Sequence, residues 1–103
     1  MEKRNIMLKP KQRSYLKSLA NPLKPLVHIG KEGLSDSLLA QLDECLTSHE
    51  LVKVSVLENS QLSAKEIASE VCEKTRSEFV QAIGNRFTLY RKNHEEPKIQ
   101  LPK

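Results

Sequence analysis

The stretch from Val27 to Leu39, VHIGKEGLSDSLL, contains a change of local structure within a few residues. Its short apolar run ends at Ile29, as expected for a buried strand, and Gly30 to Gly33 form a GKEG loop. Ser35 is a residue type that caps helix N-termini. Apolar residues then recur at steps of three and four: Leu38, Leu39, Leu42, Cys45 and Leu46. The stretch therefore predicts a strand, a tight loop and an amphipathic helix.

The flanking segments continue this alternation of helix and strand. Pro10 suits the first turn of a helix, which must end before Pro22 because a residue preceding proline avoids helical geometry. After the central helix, Leu51 to Leu57 is rich in β-branched residues and alternates, which predicts a second strand. Ser63 and Glu66 have the spacing of a capping box and indicate a third helix.

Two strands joined by a hairpin complete the predicted fold. They run from Phe79 to Ile83 and from Arg86 to Arg91, with Gly84-Asn85 as the turn. The order α-β-α-β-α-β-β predicts a compact α/β sandwich with a four-stranded mixed sheet and three helices. We expect a mainly parallel sheet with an antiparallel edge from the hairpin. We assign residues 1–8 to a flexible N-terminus, 9–91 to the domain, and 92–103 to a polar, loosely ordered tail.

The charge of the chain is unevenly distributed. Residues 1–31 contain eight basic residues and one acid, residues 32–80 contain four basic residues and ten acids, and residues 81–103 contain five basic residues and two acids. Positive charge is therefore concentrated at both ends of the chain. If these ends lie side by side in the fold, they form a basic face suited to a polyanion.

Several function classes lack the residues they need. The GKEG loop is too short for a Walker loop and places Lys31 between the glycines, and GxGxxG is absent. His28, Ser35 and Asp36 lie near the loop, but nothing identifies a group orienting a base or an oxyanion site. We therefore expect no enzyme, no catalytic residue and no cofactor.

Metal, disulfide and membrane functions are also not indicated. The three histidines are scattered, and Cys45 and Cys72 are too far apart for a CxxC pair, so we expect reduced thiols and no metal site. No apolar run approaches the roughly 18 residues of a transmembrane helix, and the N-terminus lacks a secretory signal. We expect a cytoplasmic protein without membrane contact.

RNA is the partner that the loop favours. Glycines at both ends of a short loop let its backbone approach a sugar-phosphate chain, and Lys31 adds a charge-assisted contact. KH domains use a GxxG loop in this way, although there the loop joins two helices. The sequence has four aromatic residues and no RRM motif, so binding should rest on backbone and shape and should weaken steeply with salt.

Several further motifs resemble the CRM domain, an RNA-binding module of chloroplast splicing factors and bacterial ribosome-assembly proteins. The resemblance runs from Leu8 to Arg91. Its most specific elements are Leu23-Lys24-Pro25, the GKEG loop, Glu50 to Val54, and Leu89-Tyr90-Arg91. It implies a fold similar to the C-terminal domain of translation initiation factor three. It also implies a protein that binds rRNA in precursors of the large ribosomal subunit, with ribosomal proteins as possible further partners, and we expect a monomer.

The resemblance and the charge pattern together nominate RNA-binding residues. The loop supplies Gly30, Lys31, Glu32 and Gly33, with Lys31 the better phosphate contact because Glu32 repels phosphate. The basic track around the loop comprises Lys9, Arg13, Lys17, Lys24, Arg86 and Arg91. Each of these could instead be an ordinary solvated charge, and Arg91 could pair with an acid of the fold. The alternative function is a protein adaptor that docks a basic partner through acids of the central region: Asp36, Asp43, Glu44, Glu66, Glu70 and Glu73.

Overall fold

The computed structural model describes residues 8–30, 33–57 and 64–102. Lys31, Glu32 and the predicted helix cap Ser63 lie outside the described residues. The elements are α1 Pro10–Ala20, β1 Val27–Ile29, α2 Asp36–His49, β2 Leu51–Val56, α3 Ala64–Thr75, β3 Glu78–Ile83 and β4 Arg86–Tyr90. Their order confirms the predicted α-β-α-β-α-β-β fold with a mixed sheet.

The four strands lie in the order β1-β2-β4-β3. β1 pairs with β2 in parallel, whereas β4 is antiparallel to both β2 and β3. The hairpin does add an antiparallel edge, as expected, but the expectation of a mainly parallel sheet is wrong: because β4 is inserted between β2 and β3, two of the three described strand pairs are antiparallel. The residue types explain this position. Phe87 and Leu89 are buried on one face of β4 and Thr88 and Tyr90 on the other, whereas Ile83 at the end of β3 is 66% exposed.

The two faces of the sheet are covered to different extents. One face packs against α2 and α3 around the largest apolar cluster, to which β2 contributes Val52, Val54 and Val56. The other face packs against α1 in a smaller cluster that includes Leu16, Leu51, Val80 and Tyr90. On β2 and β4 this smaller cluster uses only the residues at one end of the sheet, Leu51 at the start of β2 and Tyr90 at the end of β4. The opposite end of that face, beyond Leu51, is not covered by the cluster.

The segment after β4 folds back onto the domain. Ile99 and Leu101 pack against the smaller cluster, and Gln12 Nε2 donates a hydrogen bond of 3.0 Å to the Pro102 carbonyl oxygen. This differs from the loosely ordered tail that its polar sequence suggested. The reason is a buried acceptor, the Glu50 carboxylate, which receives backbone N–H groups of the tail. Leu8, from the N-terminal segment, is buried in the same cluster.

Candidate nucleic-acid interface

The GKEG loop begins where β1 ends. The Gly33 N–H donates to the Gly30 carbonyl oxygen at 3.0 Å, which brings the two glycines of the loop together. Gly33 has a φ of +80°. This left-handed conformation costs other residues roughly 1–2 kcal/mol, so the turn itself requires glycine at this position.

Gly30 is not required in the same way. Its φ lies outside the left-handed region, and a Cβ built on it would meet no heavy atom within 4 Å. Neither backbone strain nor internal packing therefore explains a glycine here. An exposed backbone without a Cβ is, however, what a close-approaching partner would need.

The start of α2 faces the same region as the loop. Ser35 is the N-cap, as predicted, and its hydroxyl accepts a hydrogen bond of 3.2 Å from the Leu38 N–H. The first-turn N–H groups of a helix have no carbonyl partner within it and favour anions. An open cleft of about 360 Å³ lies between this helix end and the loop, and its lining includes His28, Gly30, Gly33, Ser35 and Gln41.

Hydrogen bonds join the loop end of the sheet to the β3–β4 turn. The Leu57 N–H donates to the Ile29 carbonyl oxygen at 2.8 Å. Val56 and Asn85 are joined by two further bonds, from Val56 N–H to the Asn85 carbonyl oxygen at 2.7 Å and from Asn85 Nδ2 to the Val56 carbonyl oxygen at 2.8 Å. The hairpin turn, with Gly84 at a φ of +61°, therefore lies at the same sheet end as the loop.

Comparison with known proteins agrees with this geometry. The family model of the CRS1 / YhbY (CRM) domain matches residues 8–91, which include the loop, the whole sheet and all three described helices. This chain belongs to the CRM-domain family. The match covers the residue range that the sequence motifs indicated.

Relatives of similar length support the assignment. The CRM-domain chain is 40% identical over 96 residues to "Probable RNA-binding protein YqeI" of Bacillus subtilis, covering 93% of this chain and 100% of that protein. It is also 40% identical to an "RNA-binding protein" of Haemophilus influenzae, covering 93% and 96%. The solution structure of SAV1595 from Staphylococcus aureus superposes with a TM-score of 0.80 at 44% identity, covering 93% and 100%.

Two of the predicted basic residues of the CRM domain, Arg86 and Lys24, line separate clefts. Arg86 lines a cleft of about 410 Å³ together with Lys53, Asn21 and Gln81. Lys24 lines a separate, more apolar cleft, again with Lys53. Lys53, which the sequence analysis did not nominate, therefore connects Lys24 and Arg86. The sequence did not single out Lys53, because a polar residue at every second position is expected on the outward face of any such strand.

The basic residues of α1 do not all join this region. Arg13 lines a cavity at the outer edge of β3 that also contains Glu73 and Glu78. Lys9 is the N-cap of α1, at the helix end that Gln12 connects to the tail, and Lys17 is exposed near the other end. Spacing along one helix predicted a single track, but α1 presents these residues to different neighbours.

Arg91 lies at the opposite end of the sheet from the loop. Its guanidinium contacts Asp43 Oδ1 at 2.6 Å, and it donates to the carbonyl oxygens of Thr75 and Asp43 and to the Thr47 hydroxyl, all within 2.9 Å. The alternative interpretation, an ion pair with an acid of the fold, is thus what the structure shows for Arg91. These contacts tie β4 to α2 and to the end of α3.

Glu50 is a buried residue whose role the sequence did not reveal. It follows α2 with a φ of 66° and is fully buried. Its carboxylate accepts backbone hydrogen bonds of 2.7 Å from Asn93, Lys98 and Ile99. A buried carboxylate is stable only when several donors compensate for lost hydration. The sequence feature that could have identified Glu50 is its position, a single acid between a helix pattern and a strand of mainly apolar residues.

Tyr90 and Cys45 have perturbed ionisation. Burial and, secondarily, the negative charge of Glu50 raise the pKa of Tyr90 to about 12. The Tyr90 hydroxyl has no hydrogen-bond partner among the described residues. Burial and the neighbouring Glu44 raise the pKa of the Cys45 thiol, and neither Cys45 nor Cys72 is in a disulfide. Neither group lines the cleft between the loop and α2.

Two negative observations concern the described part of the chain. Residues 8–30, 33–57 and 64–102 contain no cluster of three or more His, Cys, Asp or Glu side chains that could hold a metal ion. None of the helices within these ranges is long and apolar enough to span a membrane.

Proposed function

We propose that this CRM-domain protein binds RNA through the GKEG loop and the basic residues at the same end of the sheet. The observation that carries the proposal is Gly30, a glycine that neither backbone conformation nor internal packing demands. A surface without a Cβ beside a helix N-terminus suits close approach of a phosphate backbone. Two relatives are named as RNA-binding proteins, which supports the proposal.

The RNA we propose is rRNA within precursors of the large ribosomal subunit. The protein would act as a cytoplasmic monomer during subunit assembly, where ribosomal proteins lie close to the same RNA. The support is the resemblance to bacterial CRM-domain proteins that associate with such precursors. The first 31 residues, with eight basic residues and one acid, supply the charge that this polyanion needs.

A charge reversal at Lys31 tests the loop assignment. The Lys31→Glu variant replaces a phosphate contact by repulsion, so its affinity for a structured rRNA fragment should fall roughly tenfold or more at 0.1 M salt. Titration of labelled RNA measures the affinity, and circular dichroism confirms the fold. Lys65→Glu is the control, since Lys65 is exposed on α3 and the change in net charge is identical. A folded Lys31→Glu protein that binds as tightly as wild type would refute the loop assignment.

Crosslinking in cells followed by sequencing tests the identity of the RNA. We expect the crosslinked fragments to map to rRNA of the large subunit. Fragments dominated by other RNA classes would reject the ribosomal proposal and leave RNA binding intact. Recovery of a basic protein partner after nuclease treatment, without crosslinked RNA, would favour the adaptor alternative. That alternative uses acids that already have partners within the fold, such as Asp43 with Arg91 and Glu70 with Lys74.

A further inference from the structure

Part of one sheet face lies outside the cluster that α1 forms with the sheet. That cluster includes Leu51 and Tyr90, at the end of the sheet where β2 begins and β4 ends. Because side chains alternate along a strand, the residues between Val52, Val54 and Val56 point to the α1 side. Beyond the cluster, this side of the sheet therefore presents Lys53 and Ser55. We call this region the open sheet face.

The strand register arranges the open sheet face in two rows. The row nearest the loop crosses all four strands through His28, Ser55, Arg86 and Ile83. The next row passes through Lys53, Thr88 and Gln81, and because Thr88 is buried, this row presents Lys53 and Gln81. With strands about 4.8 Å apart, the first row spans about 14 Å. The two rows form a surface that begins directly beside the loop and ends at the β3–β4 hairpin.

The open sheet face is basic and contains no acidic residue in either row. Arg86 and His28 are exposed, Lys53 is half-buried, and none of them has a carboxylate partner among residues 8–30, 33–57 and 64–102. Lys53 and Arg86 line one cleft, while His28 lines the cleft between the loop and α2. Because His28 pairs with Ser55 and Ser55 with Arg86, one row of the sheet connects the two clefts.

The type of RNA follows from what the open sheet face lacks. Single-stranded RNA is held chiefly by stacking of its bases on exposed aromatic side chains. Phe87 and Tyr90 are each 1% exposed, and Phe79 packs against the main cluster, so the sheet offers no stacking platform. Double-stranded RNA, whose bases are already stacked and paired, is recognised through phosphates, 2′-hydroxyls and shape.

We propose that the open sheet face is a second contact surface for the phosphates of base-paired RNA, with Lys53 and Arg86 as its principal contacts. The proposal rests on the RNA-binding function proposed above and extends it to a surface that neither α1 nor the loop provides. The RNA backbone would run from the loop across the row of His28 and Arg86 to the hairpin. Lys24, which shares a cleft with Lys53, lies at the side of this path.

The salt dependence of binding tests this surface. For duplex RNA we take the slope of log K against log [salt] measured on duplex DNA, about 0.9 per neutralised phosphate. The Lys53→Ala/Arg86→Ala variant should lower that slope by about 1–2 and reduce affinity for an RNA hairpin roughly ten- to a hundredfold at 0.1 M salt. The matched control is Lys65→Ala/Lys74→Ala, which removes the same charge from exposed positions on α3. The control should leave the slope unchanged.

The outcomes separate this inference from the proposed function. If the wild type binds no RNA, the proposed function fails and the inference with it. If the wild type binds and Lys31→Glu weakens binding, but the sheet variant keeps the wild-type slope, only the sheet surface is refuted. An equal loss of slope in the α3 control would show a net-charge effect and would also refute it. Tighter binding of an unstructured oligonucleotide than of a hairpin of equal length would refute the preference for base-paired RNA.

Discussion

The polar groups at the two ends of α2 differ in how many contacts they make within the protein. At its N-terminal end, a backbone hydrogen bond joins Gly33 to Gly30, Gly30 carries no side chain, and the nearby His28 is exposed. At its C-terminal end, Glu50 is fully buried, and three tail N–H groups donate to its carboxylate. Charges with partners inside the fold hold it together, whereas charges left without them are available to a ligand.

β4 shows the same contrast between two arginines. Arg86 at its start is exposed at the loop end of the sheet, while Arg91, directly after its end, contacts Asp43, Thr47 and Thr75. The sequence alone does not distinguish the two arginines, since both are basic residues of the last hairpin. The account therefore assigns stability to the Glu50–Arg91 end and RNA binding to the loop end, and substitutions at each end should separate the two properties.

Removal of the Glu50 carboxylate should have the largest effect on stability. Glu50→Ala leaves three partly buried backbone N–H groups without their acceptor and removes a fully buried carboxylate, so we expect the free energy of unfolding to fall by about 3–5 kcal/mol. Urea denaturation measures this change, and Glu95→Ala, at an exposed position of the same tail, is the control. A Glu50→Ala protein as stable as the control would show that the tail does not depend on this carboxylate.

Paired substitutions of the two arginines should give the next largest effect. Arg91→Ala should lower the free energy of unfolding by about 2–3 kcal/mol, because Arg91 donates several charge-assisted hydrogen bonds. Arg86→Ala should change stability by less than about 0.5 kcal/mol, as expected for an exposed residue. In contrast, Arg86→Ala should weaken RNA binding more than Arg91→Ala does, when both are measured on folded protein. Equal effects of the two variants on both properties would remove the distinction between the two ends.

The raised pKa of Tyr90 predicts a smaller effect on the free energy of unfolding, which appears only at high pH. The unfolded chain releases the phenolic proton near pH 10, whereas the folded protein retains it up to its pKa of about 12. Folding is therefore favoured fully below pH 10, and about 1–2 kcal/mol is lost between pH 10 and 12. Tyr90→Phe should keep its neutral-pH stability, since the hydroxyl lacks a described partner, and should lose less stability over this range. Identical alkaline profiles for both proteins would contradict this.

The sequence predicts the helices, strands and turns better than it predicts which strands lie side by side. The Ser35 cap, the Gly84 turn and the alternating apolar residues of β2 follow from local residue preferences, and the structure confirms them. The insertion of β4 beside β2 depends on long-range pairing, which no local pattern encodes. The contribution of Glu50 depends on tail residues more than 40 positions away, and the sequence analysis missed it for the same reason.

The centre of the proposed site follows from the sequence, whereas its proposed extent depends on the fold. The GKEG motif identified Gly30 and Gly33 because glycine spacing is a local signal. Lys53 was missed because its neighbours on the surface come from other strands and from the end of α1. The spacing of basic residues in α1 predicted that Arg13 belongs to the basic track. In the structure, Arg13 instead lines a cavity with Glu73 and Glu78.

Gly30 provides the most direct test of the central claim that the loop end contacts RNA. A Cβ at Gly30 meets nothing within the protein, so Gly30→Ala should have an unchanged or slightly higher free energy of unfolding. If RNA backbone packs against this position, the same variant should bind a structured rRNA fragment at least roughly tenfold more weakly than wild type. Wild-type affinity in the folded Gly30→Ala protein would contradict the claim.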